Sequence, residues 1–287
     1  MHMVELIRKA KYKLFLNLTR TIRRPDYVAT HGLRSWSDSG LYPEAARRAA
    51  HNARAFATFK RNASYRQVLE HVSKELGAQY LKQIEEKWPC LIDKIENLKI
   101  NDQVGNPILE TYPHVGKISP TTLRYLKVAC DLRELFGELA AFDVVEIGGG
   151  YGGQFLLTDQ LWQLASWTIL DLDPVLQLIN RYLECHLIRS VYKPTTLNRF
   201  DTRTARFDLA VSNYAFSELP RALQLSYISK VLCKARRGYM TMNSGKAECH
   251  GQSMSISELR TYFPALMILD EVPLTSSENY ILVWGQR

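Results

Sequence analysis

The sequence predicts an α/β protein with a parallel sheet closed by an antiparallel C-terminal hairpin and preceded by an α-helical N-terminal region. Three observations predict this fold. Strand-like and helix-like segments alternate from Val144 onward, a glycine-rich loop joins the first of these strands to its helix, and the last two apolar segments have no helix between them. Alternating strands and helices form parallel sheets with right-handed crossovers.

Residues 1–100 are predicted to be mainly helical. From Glu44 to about Leu98 the apolar residues recur at three- and four-residue steps, as at Leu69, Val72, Leu76 and Tyr80. Gly77 and Pro89 are expected to divide this stretch into shorter helices. The region is expected to serve as a cap, an acceptor lid or a dimerisation element.

A turn-rich linker, residues 101–107, predicts a domain boundary, so that 101–287 form the second domain. Ser119 and Pro120 favour a helix start there, because serine caps free N–H groups and proline fits the first helical position. Strands are expected at 144–147, 167–170, 207–212 and 239–242, and more weakly within 187–198. Helices are expected at 153–164, 174–184 and 219–234, with a short one from Ser257.

The C-terminal pair, 265–269 and 280–284, is joined by about ten residues that contain Pro273. Because this loop is too short for a crossover helix, the two strands are expected to pair antiparallel.

The charge of the chain is uneven. Its 287 residues carry a net charge of +8, yet residues 1–66 hold fourteen Lys and Arg against four Asp and Glu, and the remainder holds 23 against 25. The basic segment indicates attraction to an anion or a solvated basic face. Residues 4–22 mix apolar and basic residues at helical spacing, which fits a peripheral membrane helix or a helix packed on its own domain or on a second subunit of a homodimer.

Five cysteines at wide spacings form no C-x-x-C pair, which argues against a disulfide framework or a zinc site. No apolar run reaches the roughly 18 residues of a membrane span, and the first residues lack the apolar core of a signal peptide. A cytoplasmic location is the simplest expectation.

The strongest motif is the glycine loop Glu146-Ile-Gly-Gly-Gly-Tyr-Gly-Gly153. Gly148, Gly150 and Gly153 fit the dinucleotide pattern G-x-G-x-x-G. Glu146, Gly148, Gly150 and Gly152 fit the acidic-x-G-x-G-x-G pattern of class I methyltransferases, which bind S-adenosyl-L-methionine.

Two features favour the methyltransferase pattern. An acid at the strand end suits the ammonium of a methionyl group and would repel a pyrophosphate, and the terminal hairpin is not required by a nicotinamide-binding domain. Asp171, which follows the second strand, is expected to accept hydrogen bonds from both ribose hydroxyls. Asp173, beside Pro174, is expected to cap the next helix.

The end of the fourth strand, Ser212-Asn-Tyr-Ala-Phe-Ser-Glu218, is expected to face the acceptor at the switch point of the sheet. Asn213 is expected to contact the cofactor there. Enzymes that methylate base amino groups usually carry D/N-P-P-Y/F/W at this place, and this chain has no proline there. Nucleic acid is therefore not the expected acceptor.

Three blocks together resemble the putative sugar O-methyltransferase family of bacterial polysaccharide and natural-product gene clusters. They are Ile118–Ala129 (ISPTTLRYLKVA), Val145–Gln154 (VEIGGGYGGQ) and Ser212–Leu219 (SNYAFSEL). The resemblance covers roughly 105–245. It implies S-adenosylmethionine as the methyl donor and a sugar, glycoside or nucleotide-sugar as a small-molecule acceptor.

A sugar hydroxyl needs help to lose its proton, so a general base is expected. His114, Glu218 and Tyr214 are the catalytic candidates, with His250 a further one; Tyr214 is expected to position the acceptor rather than take its proton. Arg124 is expected to hold the cofactor carboxylate or to be a solvated helix residue. No metal is expected. Other open functions are methylation of an amine or hydroxyl of another metabolite, nicotinamide-dependent oxidoreduction, and cofactor binding without turnover.

Overall fold

The structure is a computed structural model, and it describes residues 40–245 and 253–285. All of them belong to the compact unit Arg34–Arg287. The predicted basic helix 4–22, most of the predicted loop 25–43, and the candidate base His250 lie outside the described residues.

Ten α-helices lie in the described ranges: α1 Leu41–His51, α2 Ala53–Ala57, α3 Ala63–Val68, α4 Lys74–Lys87, α5 Ile95–Leu98, α6 Pro120–Phe136, α7 Gly153–Leu161, α8 Asp173–Leu183, α9 Arg221–Lys230 and α10 Ile256–Tyr262. Short 3-10 helices cover Phe59–Arg61, Pro89–Lys94, Lys99–Asp102, Ala215–Glu218 and Leu232–Lys234. Side-chain caps explain several starts. Ser119 Oγ accepts from Thr121 N at 3.2 Å at the start of α6, as predicted.

The described part of the chain has nine strands in two sheets: β1 Glu110–Tyr112, β2 Gly116–Ile118, β3 Asp143–Ile147, β4 Ser166–Leu170, β5 Val191–Thr195, β6 Phe207–Asn213, β7 Ala235–Met242, β8 Met267–Asp270 and β9 Tyr280–Trp284. β1 and β2 make a small antiparallel sheet, and the other seven form the main sheet in the order β5-β4-β3-β6-β7-β9-β8. β9 runs antiparallel to β7 and β8, while the other pairs are parallel. The predicted parallel sheet with an antiparallel terminal hairpin is confirmed.

The main sheet buries both of its faces. Successive side chains of a strand point to opposite faces, so Val144 joins the core with α6, α7 and α8, and Val145 joins the core with α9 and α10. Helices α1, α3 and α4 contribute to the first of these cores. β5 lies at the edge, where Pro194 is tolerated because an edge strand does not need every N–H in the ladder.

Several local predictions were wrong. Gly77 does not end a helix but lies inside α4, where a Cβ would stand 2.1 Å from the Tyr112 hydroxyl oxygen; the glycine admits this aromatic ring. Leu69 and Val72 lie in the break between α3 and α4 and not on a helix face. Asp173 does not cap α8. It is the first helical residue, and its carboxylate pairs with Arg199.

The predicted linker contains a buried junction. Asn101 is fully buried; its amide donates to Thr122 Oγ1 at 2.7 Å and its carbonyl oxygen Oδ1 accepts from the Tyr182 hydroxyl at 2.8 Å. Asp102 Oδ2 accepts from Ser119 N at 2.8 Å. These bonds fix the start of α6 against α8. The boundary at residue 101 stays a prediction.

Candidate cofactor and acceptor site

The glycine loop between β3 and α7 lies at the carboxyl ends of the strands, where sheets of this type bind ligands in a crevice, and is here termed the floor. Gly148 and Gly150 have φ values of 78° and 62°, which L side chains rarely adopt. A Cβ at Gly148 would lie 2.2 Å from the Cβ of Ala215, in the turn after β6. Both the backbone conformation and the close approach therefore require glycine at position 148.

Asp171 binds the glycine loop itself. One carboxylate oxygen accepts from Gly149 N at 2.8 Å and the other from Leu172 N at 2.7 Å. Gly148 N donates to the carbonyl of Leu170 at 3.0 Å, and Gly152 N donates to that of Gly149 at 2.8 Å. A negative charge thus lies against the loop, and three of its amides bond within the protein.

Glu146 lies under the loop and is only 1% exposed. Its carboxyl accepts a hydrogen bond from Trp167 Nε1 at 2.9 Å. Burial raises the pKa of Glu146 to about 8, against the lowering effect of the Trp167 bond. The sequence predicts that Glu146 lies beside the ammonium of the ligand. In the structure, the indole of Trp167 on the neighbouring strand β4 covers its carboxyl.

Two serines of the Ser212–Leu219 block hold the turn at the end of β6 in place. Ser212 Oγ donates to the Ile147 carbonyl at 3.0 Å and so joins this turn to the strand before the glycine loop. Ser217 Oγ donates to Asn243 Oδ1 at 2.6 Å and ties the turn to the end of β7. Between them, Tyr214 adopts φ 66°, which is unusual for a bulky residue. This shape turns the chain sharply at Tyr214, and Asn213 Nδ2 lies 3.5 Å from Gln154 Oε1 on α7.

Tyr214 has a partner that the sequence analysis missed. Its hydroxyl donates to Glu271, in the loop after β8. Glu271 is 5% exposed and also accepts from Thr275 N at 2.9 Å, from Thr275 Oγ1 at 2.7 Å and from Asn279 Nδ2 at 3.1 Å. Burial, followed by the charge of Glu271, raises the pKa of Tyr214. These four donors use the acceptor capacity of Glu271 to fix Tyr214 and the loop.

Residues 63–72, comprising α3 and the break that follows it, cover the glycine loop and are here termed the roof segment. A Cβ at Gly150 would lie 3.2 Å from Leu69 Cδ1 and Cδ2, so this leucine rests directly on the floor. Arg124 of α6 donates from Nη2 to the Leu69 carbonyl at 3.4 Å. The roof segment is therefore held between the glycine loop and α6.

The roof and its surroundings carry unsatisfied polar atoms. Three buried side-chain atoms there have no hydrogen-bond partner among the described residues: Tyr65 Oη, Glu70 Oε1 and Arg124 Nε. Burial, and then the charge of Asp171, raise the pKa of Tyr42, whose ring lies 5.4 Å from that of Tyr65. Buried polar atoms without partners are costly, so each of them calls for a missing partner.

The remaining candidates are placed differently. Glu218 Oε1 accepts from Asn243 Nδ2 at 3.2 Å, next to the turn that carries Tyr214. His114 is exposed, with φ 64°, at the turn of the separate β1–β2 sheet. The structure thus brings Tyr214, Glu218 and Arg124 to one end of the main sheet and leaves His114 on an outer turn. Roles for all four stay predictions.

The main sheet consists of strands β3 to β9, which can be renumbered one to seven along the chain. Across the sheet their order is then 3-2-1-4-5-7-6, and the seventh strand is antiparallel to its neighbours. The glycine loop follows the first strand, and the block with Tyr214 follows the fourth, on the two sides of the point where the strand order reverses. The chain has the class I methyltransferase fold.

Comparison with solved structures returns methyltransferases at low similarity. They include the methyltransferase domain of bacterial CtHen1 (15% identity, 56% of this chain and 96% of that one, TM-score 0.41). Others are the N-methyltransferase NodS of Bradyrhizobium japonicum (16%, 56% and 91%, 0.40) and the T. thermophilus 16S rRNA N2 G1207 methyltransferase in complex with AdoMet and guanosine (18%, 57% and 43%, 0.42). No family model and no curated protein matches the chain. At these values the similarities identify no acceptor.

No helix within residues 40–245 and 253–285 is long and apolar enough to cross a membrane. Within the same ranges, no group of three or more His, Cys, Asp or Glu side chains is arranged to hold a metal ion.

Proposed function

We propose that the protein is an S-adenosylmethionine-dependent O-methyltransferase whose acceptor is a hydroxyl of a sugar or glycoside. The observation that carries the cofactor assignment is Arg124. Its guanidinium is buried beside the glycine loop, its Nε has no partner among the described residues, and its bond to the Leu69 carbonyl is long. A buried cation with free donors at this place fits the carboxylate of the methionyl group.

The residues around the crevice fit the rest of the cofactor. Asp171 is placed to accept hydrogen bonds from ribose hydroxyls while it braces the loop. Gly148, Gly150 and Gly152 carry no side chains of their own, which would let the cofactor approach the backbone of the floor closely, and Glu146 supports the loop. Asn213 and Tyr214, at the end of the fourth strand, are placed on the acceptor side, where the sulfonium would lie.

S-adenosylmethionine supplies a methyl group already activated on its sulfonium. The protein's part is to align donor and acceptor at about 3–3.5 Å, to exclude water and to accept the hydroxyl proton. We assign alignment to Tyr214, which Glu271 holds in place. Glu218 is the proposed base, since its carboxylate lies next to the Tyr214 turn; His114 and His250 are the alternatives.

Asp171 argues against the nicotinamide alternative. In a dinucleotide site the amides of the glycine loop bind a pyrophosphate. Here Gly149 N already donates to Asp171, so one of these amides is engaged within the protein. The sugar acceptor rests on the three sequence blocks, and residues 1–100 are proposed as a cap, of which the roof segment is a part.

Binding separates the cofactor classes. We expect adenosylhomocysteine to bind with a measurable heat in titration calorimetry and to raise the melting temperature, and NAD to do neither. Binding of NAD in place of adenosylhomocysteine would reject the methyltransferase assignment.

Turnover identifies the acceptor. The protein is incubated with methyl-labelled S-adenosylmethionine and a panel of glycosides, nucleotide-sugars and amines, and the labelled atom is located by NMR. We expect label on a sugar oxygen. Label on an amine would replace the O-transfer proposal with the alternative acceptor, and no transfer to any acceptor would favour a cofactor-binding protein without turnover.

A further inference from the structure

Glu70 is a buried carboxylate that the class I fold does not require. It lies in the roof segment and is 9% exposed, and its Oε1 has no hydrogen-bond partner among the described residues. The next residue in the chain towards the N-terminus, Leu69, rests on Gly150. Glu70 is therefore held at the edge of the crevice floor and not on the outer surface of the N-terminal helices.

The charges around Glu70 place it next to the start of α6. Burial raises its pKa. The charge of Lys60, a hydrogen bond with the Thr121 side chain and the charge of Arg124 partly offset that effect, while the charge of Asp102 adds to it. Lys60 is itself engaged, since it donates to the Asn101 carbonyl and lies 4.2 Å from the centre of the Tyr151 ring. Oε1 of Glu70 has no donor among residues 40–245 and 253–285.

Glu70 and Arg124 together have the polarity of an amino-acid binding site. One offers a buried carboxylate oxygen and the other a buried guanidinium N–H, each without a partner among the described residues. Arg124 Nη2 lies 3.4 Å from the carbonyl oxygen of Leu69, the residue before Glu70, so the two side chains start from adjoining points of the structure. An amino-acid group carries an ammonium and a carboxylate on one carbon. Such a zwitterion would satisfy both orphaned atoms at once, which a simple anion or cation would not.

We propose that Glu70 accepts a hydrogen bond from the ammonium of the methionyl group, so that the roof segment supplies half of the amino-acid site. This inference rests on the proposed function. It assigns the ammonium to Glu70 and not to Glu146, whose carboxyl is covered by Trp167 and is 1% exposed. Arg124 takes the carboxylate from the opposite side.

The test uses three ligands that differ only at the amino-acid end. Adenosylhomocysteine carries both charged groups, its deaminated analogue keeps the carboxylate alone, and 5′-methylthioadenosine has neither. Binding of each is measured by calorimetry for the wild type, Glu70→Gln, Glu146→Gln and Glu75→Gln. Glu75 is an exposed glutamate in the first turn of α4 and serves as the matched control.

We expect Glu70→Gln to weaken the binding of adenosylhomocysteine about tenfold or more and to change the affinities of the other two ligands by less than about twofold. The reason is that only adenosylhomocysteine carries the ammonium that Glu70 would bind. Glu146→Gln and Glu75→Gln should leave the preference among the ligands unchanged. Equal weakening of all three ligands by Glu70→Gln would show a structural role and overturn the proposal, as would an ammonium-specific loss in Glu146→Gln instead.

A second variant covers the case in which Glu70→Gln does not fold. Glu70→Asp keeps the charge but withdraws it by one methylene, so it should show the same ammonium-specific loss to a smaller extent. The absence of that loss would overturn the proposal. If the wild type binds 5′-methylthioadenosine but gains nothing from the ammonium, the Glu70 assignment fails while the proposed function stands. If it binds none of the three, both fail.

Discussion

The glycine loop and the roof segment face each other across the crevice, but they satisfy their polar groups differently. In the loop, the amides of Gly148, Gly149 and Gly152 bond to the protein, and Asp171 braces the turn. In and beside the roof, Tyr65, Glu70 and Arg124 each have a buried atom that finds no hydrogen-bond partner in the described part of the chain. The difference indicates a floor that is complete without a ligand and a roof that a ligand would complete.

The largest effect is expected from a change that breaks the floor. Gly148→Ala puts a Cβ 2.2 Å from Ala215 and forces an L side chain into φ 78°. We expect a loss of about 2 kcal/mol or more in the free energy of unfolding and roughly a hundredfold weaker binding of adenosylhomocysteine. Chemical denaturation and calorimetry measure the two effects.

Gly116→Ala is the control for Gly148→Ala. Gly116 has φ 66°, but the nearest atom to its Cβ is Lys99 Nζ at 3.8 Å. The Gly116→Ala substitution should lower the free energy of unfolding by only about 1 kcal/mol, because it strains the backbone alone. It should leave the binding of adenosylhomocysteine unchanged. A Gly148→Ala variant that behaves like this control would show that the floor is not closely packed.

A smaller loss is expected when the floor keeps its shape but loses its charge. Asp171→Asn retains an acceptor for Gly149 N but weakens hydrogen bonds to the ribose hydroxyls, so adenosylhomocysteine should bind about tenfold less tightly. Asp173→Asn, at an exposed surface pair with Arg199, should change the affinity less than twofold. Equal effects of the two variants would remove Asp171 from the site.

On the acceptor side, Glu271→Gln should lower kcat about tenfold and leave the affinity for adenosylhomocysteine within twofold, because it loosens Tyr214 without touching the floor. Tyr214→Phe should lower kcat to a similar degree, and the double variant should be little worse than either one. Additive losses in steady-state kinetics would show that the two residues act separately.

Glu146→Gln distinguishes support beneath the floor from ligand binding. A carboxyl whose folded-state pKa is raised stabilises the fold fully below its unfolded pKa, and this contribution is lost as the pH rises through about 8. Between the unfolded-state pKa of this carboxyl and about pH 8, the wild type should therefore lose up to about 1.4 kcal/mol of stability per pH unit relative to the variant. Parallel stability profiles in urea from pH 5 to pH 8.5 would contradict a buried, protonated Glu146.

The smallest effect is expected from His114→Ala. Because this histidine is exposed on the turn of the separate two-stranded sheet, kcat should change less than about twofold. A fall of a hundredfold, with normal binding of adenosylhomocysteine, would instead restore His114 as the general base.

The sequence predicted the floor far better than the roof. The glycine loop, Asp171 and the Ser119 cap are local patterns, in which the residues that determine the structure are near neighbours in the chain. Glu70 and Arg124 are 54 residues apart, and Tyr214 and Glu271 are 57 apart. No spacing rule relates such pairs, since tertiary packing alone brings them together.

The prediction that Gly77 divides two helices failed for the same reason. Glycine weakens a helix by roughly 1 kcal/mol relative to alanine, which made a break the natural prediction. The approach of Tyr112, from a hairpin that the sequence analysis did not predict, accounts for a glycine within α4. Single-sequence propensity contains no information about that partner.

The contact between Leu69 and Gly150 has a consequence for the rate of turnover. Because Leu69 contacts the floor directly, a donor that binds over Gly150 can enter or leave only when the leucine withdraws, so exchange of spent donor for fresh donor would require the roof segment to lift. Under the proposed function, the slow step in each cycle would then be an opening of the fold, with a first rapid round of methylation followed by a slower steady rate.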